Sequence, residues 1–114
     1  MAVTEIWHNP RCSKSRQTLA LLQERGDVEV RLYLQDAPTA DEISAALKAL
    51  SLPAAKLMRR GEAVFKELRL AKETDEAKLI EAMAAHPILI ERPVVFANGK
   101  AALGRPPEAV LDIL

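Results

Sequence analysis

Hydrophobic and polar positions divide the chain into a strand–helix–strand unit, a run of helices and a closing pair of strands. Val3 to Trp7 is a short apolar run that Asn9-Pro10 terminates. From Ser13 the apolar residues recur with a helical period, and Gly26 is a natural stop signal. Residues 28–32 alternate between apolar and charged, which predicts a second strand. This order predicts a βαβ unit with parallel strands and a right-handed connection.

The middle of the chain carries helical signals. Thr39 and Glu42 form a capping-box pattern ahead of an amphipathic run. Proline and glycine then divide the next segment into shorter helical pieces, one of which spans 54–60. The predicted helices begin at Thr39, at Ala54, near Val64 and at Thr74-Asp75, and the last one ends at His86-Pro87.

The C-terminal quarter predicts a hairpin followed by a helix. Val94 to Phe96 is a buried-strand run, Asn98-Gly99 is a strong hairpin signal, and Ala101 to Leu103 returns antiparallel. Pro107 suits the first position of a last helix that carries Val110, Leu111 and Leu114. The chain therefore predicts an α/β fold of the thioredoxin-like plan: a mixed four-stranded sheet, βαβ then ββα. We expect one domain over residues 1–114, with a helical insertion at about residues 39–87.

Composition narrows the classes of function. Sixteen Lys and Arg balance sixteen Asp and Glu, and this zero net charge argues against a general nucleic-acid or membrane-surface role. No apolar run approaches the roughly 20 residues that a bilayer span needs, and the N-terminus shows no signal-peptide pattern. The single cysteine fits a reducing compartment, so we expect a cytoplasmic protein.

The single cysteine, Cys12, stands where the first helix begins. A helix N-terminus presents unpaired N–H groups and a partial positive charge, which favour a thiolate and can also hold an oxyanion. Arg11, Lys14 and Arg16 add positive charges nearby, and His8 could contribute when protonated. We therefore predict a reactive thiol with a lowered pKa. The alternative is an inert, buried cysteine, but its charged neighbours are poor core residues.

The spacing around Cys12 excludes a dithiol redox centre. A Cys-x-x-Cys motif would place its second cysteine at position 15, but that residue is Ser15, and the chain has no second cysteine. Any redox cycle must therefore use a thiol from another molecule. Ser15 is either a donor to the thiolate or a plain exposed residue of the first helical turn.

Two arginines stand next to prolines later in the chain. Arg92 precedes Pro93 at the start of a buried strand, and Arg105 lies in a Gly-Arg-Pro-Pro turn. Taken singly, each is more often an ordinary salt-bridge residue than a ligand-binding one. One cysteine and two distant histidines are too few for a metal site, so we expect none.

These motifs together resemble the glutaredoxin-dependent arsenate reductase family. The likeness covers nearly the whole chain and is carried by residues 8–16, 57–60, 91–95 and 104–108. The resemblance implies a thioredoxin-like fold with a cis Pro93, a catalytic Cys12 that forms a thiol–arsenic adduct, and a His8 that aids ionisation of the thiol. From its position alone, we also expect Ser15 to support Cys12. The resemblance implies oxyanion binding by Arg59, Arg92 and Arg105. It also implies an oxidoreductase with no bound cofactor, which uses glutathione as co-substrate and glutaredoxin as partner to reduce arsenate to arsenite.

One stretch departs from the pattern common in well-characterised reductases. Cys-Gly-Thr-Ser is often found there, whereas this chain has Cys12-Ser13-Lys14-Ser15. Lys14 therefore keeps open a thiol oxidoreductase that acts on another oxyanion or on glutathionylated proteins. A non-catalytic relative that binds the transcription machinery is the third hypothesis. Such relatives commonly carry a Cys-x-x-Cys switch, and Ser15 argues against it.

Overall fold

Four strands form one mixed sheet in the computed structural model, which describes residues 4–73 and 75–114. The strands are β1 (Thr4–Trp7), β2 (Val28–Arg31), β3 (Val94–Ala97) and β4 (Lys100–Leu103), and their order is β2-β1-β3-β4. β1 runs parallel to β2 and antiparallel to β3, and β3 runs antiparallel to β4. The connectivity confirms the predicted thioredoxin-like plan.

One face of this sheet carries a core of aliphatic side chains. Helix α1 (Ser13–Gln23) connects β1 to β2 and contributes Leu22, which is buried with Ile6, Val95 and Val110. Ile6 and Val95 are Cα partners in neighbouring strands, so their side chains point to the same face. Burying each of these side chains stabilises the fold by about 1.5–3 kcal/mol.

The hairpin between β3 and β4 is the one that the Asn-Gly pair predicts. Asn98 has φ 55° and Gly99 has φ 75°. Two successive residues with positive φ form the type I′ turn, whose twist matches that of the flanking strands. The register pairs Ala97 with Lys100 and leaves two residues in the loop.

The C-terminal helix begins at Pro107, as predicted, but it is a 3₁₀ helix over Pro107–Ile113. Residues three apart lie above one another in a 3₁₀ helix. Val110 and Ile113 therefore face the same way, and both pack in the core cluster. Leu114, which we expected on the helix, is the C-cap and is 38% exposed.

A second compact unit spans Ala37–Glu91, whereas the sheet belongs to a unit made of Met1–Asp36 and Arg92–Leu114. The predicted insertion at 39–87 falls inside this second unit, and the single-domain assignment stays a prediction. No helix in residues 4–73 and 75–114 is long and apolar enough to cross a membrane. The unit contains α2 (Ala40–Leu50), α3 (Ala54–Leu57), α4 (Ala63–Glu67), α5 (Glu76–Ala85) and 3₁₀ turns at Leu70–Lys72 and Pro87–Leu89.

The helix starts of this unit follow the predicted caps. Thr39 Oγ1 accepts the Glu42 N–H at 3.1 Å, and the Glu42 carboxylate accepts the Thr39 N–H at 2.9 Å. Asp75 caps α5 by accepting the Ala77 N–H at 3.0 Å. The predicted part of Thr74 in that cap lies outside the described residues.

The helix predicted over 54–60 is wrong at its C-terminal end. α3 stops at Leu57 because Met58 is extended, with φ −90° and ψ 143°, and forms an antiparallel bridge with Ile90. The Arg59 N–H donates to the Leu89 carbonyl and the Glu91 N–H to the Leu57 carbonyl, both at 2.7 Å. This pairing takes over the backbone groups that a longer helix would have used.

Candidate active site

Cys12 is the N-cap residue of α1, and a short loop fixes its position. Its N–H donates to the Asn9 carbonyl at 3.0 Å, and its own carbonyl accepts the Arg16 N–H at 3.0 Å. The Asn9 side chain accepts the Arg11 N–H at 3.0 Å, which closes an Asx-type turn. Cys12 as a residue is 9% exposed, so it is largely shielded from bulk water.

Four groups surround the Cys12 sulfur, and all of them belong to the unit that contains the sheet. The backbone N–H groups of Lys14 and Ser15 and the guanidinium of Arg92 hydrogen-bond to it. Arg105 Nη2 lies 3.8 Å from the sulfur. Burial alone would raise the pKa of Cys12, but the Ser15 N–H, the bond and charge of Arg92 and the Lys14 N–H together lower it below its ordinary value. The predicted direction of the shift is therefore confirmed.

The source of positive charge differs from the one that the local sequence suggested. Arg11, Lys14 and Arg16 are exposed, and Arg16 Nη1 donates to the Pro10 carbonyl at 2.8 Å. The guanidinium that bonds to the sulfur belongs to Arg92. Nothing in the local sequence around Cys12 indicates this contact, because it depends on how β1 and β3 pair.

A backbone link holds Arg92 and Arg105 together. Arg105 Nε donates to the Arg92 carbonyl at 2.8 Å, and the Gly104 N–H donates to the Pro93 carbonyl at 3.0 Å. The Arg92–Pro93 peptide bond is cis, as the resemblance implies, and the Arg105–Pro106 bond is also cis. Both arginines therefore reach the sulfur from adjacent turns at one end of β3 and β4.

His8 and Ser15 form a buried pair behind the thiol loop. His8 Nδ1 and Ser15 Oγ share a hydrogen bond of 2.7 Å, and Ser15 Oγ also accepts the Asn9 N–H at 3.0 Å. Burial first, and the nearby Arg16 charge second, lower the pKa of His8 below 6.5. His8 is therefore mainly neutral at pH 7 and does not supply the full charge that its protonated form would bring. Ser15 reaches the sulfur with its N–H, while its hydroxyl orients His8 and Asn9.

Arg59 lies in the second unit and is held there by two carboxylates. Its Nε is 3.1 Å from Glu62 Oε1, and its Nη1 is 3.2 Å from Glu91 Oε1. The side chain is 24% exposed. Of the six predicted site residues, the structure brings five together around or behind the sulfur: His8, Cys12, Ser15, Arg92 and Arg105. The roles of Arg59, Arg92 and Arg105 in oxyanion binding stay predictions.

The arrangement is suited to nucleophilic attack on an oxyanion. Backbone N–H groups at a helix start and guanidinium groups are donors that match negatively charged oxygen. The same donors favour the thiolate, which is the nucleophilic form of cysteine. In the part of the chain that the structure describes, no group of three or more His, Cys, Asp or Glu side chains is placed to hold a metal ion.

Known proteins resemble this chain over nearly its full length. The model of the ArsC family matches residues 7–113. The chain is 52% identical over 113 residues to the uncharacterized protein YfgD of Escherichia coli K12, covering 96% of this chain and 95% of that one. It is 46% identical over 117 residues to an arsenate reductase of Neisseria meningitidis serogroup A, covering 100% of both. The structure of an arsenate reductase from Vibrio cholerae matches with a TM-score of 0.95 and 45% identity, covering 98% of each chain.

Proposed function

Since the chain belongs to the ArsC family, we propose that it reduces arsenate to arsenite with the Cys12 thiolate as nucleophile. The observation that carries the proposal is the set of donors around the sulfur. Two helix N–H groups and the Arg92 guanidinium bond to it, and Arg105 Nη2 is 3.8 Å away. The two N–H groups and Arg92 lower the pKa of Cys12, so a larger fraction of the protein carries the nucleophile near neutral pH.

In the proposed first step, the sulfur bonds to arsenic and one arsenic oxygen leaves as water. The thiol of glutathione then bonds to the same arsenic and a second water leaves. A glutaredoxin thiolate attacks the glutathione sulfur, and the electron pair of the broken sulfur–arsenic bond stays on arsenic, which passes from As(V) to As(III). Water finally hydrolyses the Cys12–arsenic bond and releases arsenite. In sum, arsenate and two thiols give arsenite, a disulfide and one water.

The need for two external thiols follows from the chain itself. Cys12 is its only cysteine, so the oxidising equivalents cannot be resolved within the molecule. Glutathione and glutaredoxin supply them in this proposal, and it places the protein in the cytoplasm, where the glutathione pool is reducing. Arg92 and Arg105 are the proposed ligands of the oxyanion.

A coupled assay tests the proposal. Arsenate, glutathione, glutaredoxin and glutathione reductase are mixed with the protein, and NADPH oxidation is followed. We expect arsenate-dependent turnover that Cys12→Ser abolishes. Ser13→Ala, which changes an exposed neighbour on the same turn, is the matched control and should retain most of the activity. Wild-type turnover no greater than that of Cys12→Ser would refute the proposed function.

Lys14 gives a reason to extend the assay to other oxyanions. Its N–H bonds to the sulfur while its side chain is exposed at the same helical turn. An ammonium group beside the anion site adds a charge that carries no preference for arsenate. A panel of oxyanions and a glutathionylated peptide, run with wild type and Lys14→Thr, separates arsenate reduction from a broader thiol oxidoreductase activity.

A further inference from the structure

β2 is an end strand of the sheet, and half of its backbone groups point away from β1. The His8 N–H donates to the Arg31 carbonyl at 2.8 Å, so Arg31 directs its backbone groups towards β1. Groups on successive residues of a parallel strand point to opposite sides. The N–H and C=O of Val28 and Val30 therefore face outward from the sheet.

The same edge exposes apolar side chains. Val30 is 44% exposed and Leu32 is 37% exposed, although both lie in or next to a strand. An open groove runs along them and is also lined by Glu29 and Arg31. Natural proteins usually blunt such an edge or cover it, because it offers a template for another strand.

The residues from 28 to 32 are self-complementary about Val30. Their order is Val, Glu, Val, Arg, Leu. When two copies pair antiparallel with Val30 opposite Val30, Glu29 of each copy faces Arg31 of the other, and Val28 faces Leu32. Opposite charges and apolar pairs across strands both stabilise a sheet.

The position of Glu29 within its own sheet is electrostatically unfavourable. Its Cα partner on β1 is Glu5, so two carboxylates share the same face of neighbouring strands. Like charges directly opposite one another destabilise a sheet. The Cζ atom of Arg31 lies 5.9 Å from the centroid of the Trp7 ring, and its Nε lies 3.4 Å from Asp36 Oδ2. Its guanidinium is thus held on the face that Glu29 of a second copy would occupy.

We propose that β2 pairs antiparallel with β2 of a second copy of this chain, with a two-fold axis at Val30. The two Val30 residues form a hydrogen-bonded pair, in which the outward N–H of each donates to the outward carbonyl of the other. The Leu32 carbonyl already accepts the Gln35 and Asp36 N–H groups, so the pairing ends there. The dimer contains one continuous eight-stranded sheet and leaves the Cys12 sulfur and its donors in each copy unchanged.

Cysteine cross-linking tests the register. Because Cys12 is the only cysteine, Cys12→Ser gives a background without thiols. In that background Val30→Cys places two sulfurs across the axis with Cα atoms about 5.5 Å apart, which a disulfide can span. Leu32→Cys is the matched control, two residues further along on the same face, with its two copies about 13 Å apart. We expect Val30→Cys to cross-link at least about tenfold faster in a glutathione redox buffer.

Sedimentation of the wild-type chain tests the pairing itself. We expect a concentration-dependent dimer. Val30→Pro removes an outward N–H without removing a bond to β1, and Glu29→Lys sets an ammonium group against Arg31 of the other copy, so each should weaken dimerisation by about tenfold or more. Circular dichroism checks that both variants keep the fold. Equal cross-linking of the two cysteine variants, a monomer at millimolar wild-type protein, or dimers that survive both substitutions would overturn the proposal.

Discussion

Gly104 lies where α1 and the turn before β3 leave no room for a side chain. A Cβ atom at this position would clash with Thr18 Oγ1 and would lie 2.6 Å from Pro93 Cγ. Thr18 is fully buried and its hydroxyl donates to the Lys14 carbonyl at 2.7 Å, so it cannot rotate away without losing that bond. The proline ring is rigid and buried. Replacing Gly104 with alanine therefore forces the backbone itself to shift.

The cost can be estimated from these contacts. Overpacking a tight site usually costs about 1–3 kcal/mol. The new methyl group would make two contacts below 3.0 Å with partners that cannot yield. We therefore expect Gly104→Ala to lower the free energy of unfolding by about 3 kcal/mol, the upper end of this range. Gly61→Ala is the matched control, because no atom lies within 4 Å of a Cβ built there. That change should leave the stability unchanged or raise it by about 0.4–1 kcal/mol, because alanine lowers the conformational entropy of the unfolded chain.

Urea unfolding of the two variants measures the difference, read from the midpoint at an unchanged slope. A second readout is the KM for arsenate in the coupled assay. Gly104 is bonded to Arg105 and donates to Pro93, which follows Arg92, so a backbone shift should move both arginines. Stability of Gly104→Ala within about 0.5 kcal/mol of wild type would refute the reasoning, because it would show that Thr18 and Pro93 do yield.

Other consequences concern the titrating groups and one helix cap. Alkylation of Cys12 should titrate with a pKa below the ordinary 9.0 of a thiol, and Arg92→Met should raise that pKa. Because the pKa is lower in the folded state, the stability advantage of wild type over Cys12→Ser should be absent below the folded pKa and grow as the pH rises towards 9.0. Burial and the Arg16 charge lower the pKa of His8, so the unfolded chain binds more protons below pH 6.5; stability should fall there, and less so in His8→Gln. Thr39→Ala removes one half of the capping box and should cost about 1 kcal/mol in urea unfolding.

The parts of the fold that local chemistry determines could be predicted from the sequence. The capping box at Thr39 and the turn at Asn98-Gly99 each depend on two or three neighbouring residues, and both form as expected. The end of α3 could not be predicted in this way. Residues 54–60 have helical propensity, but the bridge from Met58 to Ile90 is a contact between segments far apart in the chain, and it overrides that propensity.

The candidate site could likewise be predicted only where it depends on neighbouring residues. That Cys12 begins a helix follows from the pattern after Ser13, and so do the two backbone donors. The bond from Arg92 to the sulfur and the lowered pKa of His8 depend on the tertiary structure. The sequence indicates Gly104 only as part of the turn around Arg105. Its closeness to α1 has no signal in the sequence beyond the glycine itself.

Ser15 occupies the position that the second cysteine of a Cys-x-x-Cys centre would take, and its hydroxyl is tied into the loop that holds Cys12. Its side chain is fully buried, and its oxygen serves both the Asn9 N–H at 3.0 Å and His8 Nδ1 at 2.7 Å. A thiol at this position is a weak donor and a weak acceptor, so it would leave a buried imidazole and a buried N–H poorly paired. The hydroxyl orients the loop from behind, while the N–H of the same residue stabilises the thiolate in front. We therefore expect Ser15→Cys to loosen the loop that holds Cys12, because the buried partners of the hydroxyl lose a good hydrogen-bonding group.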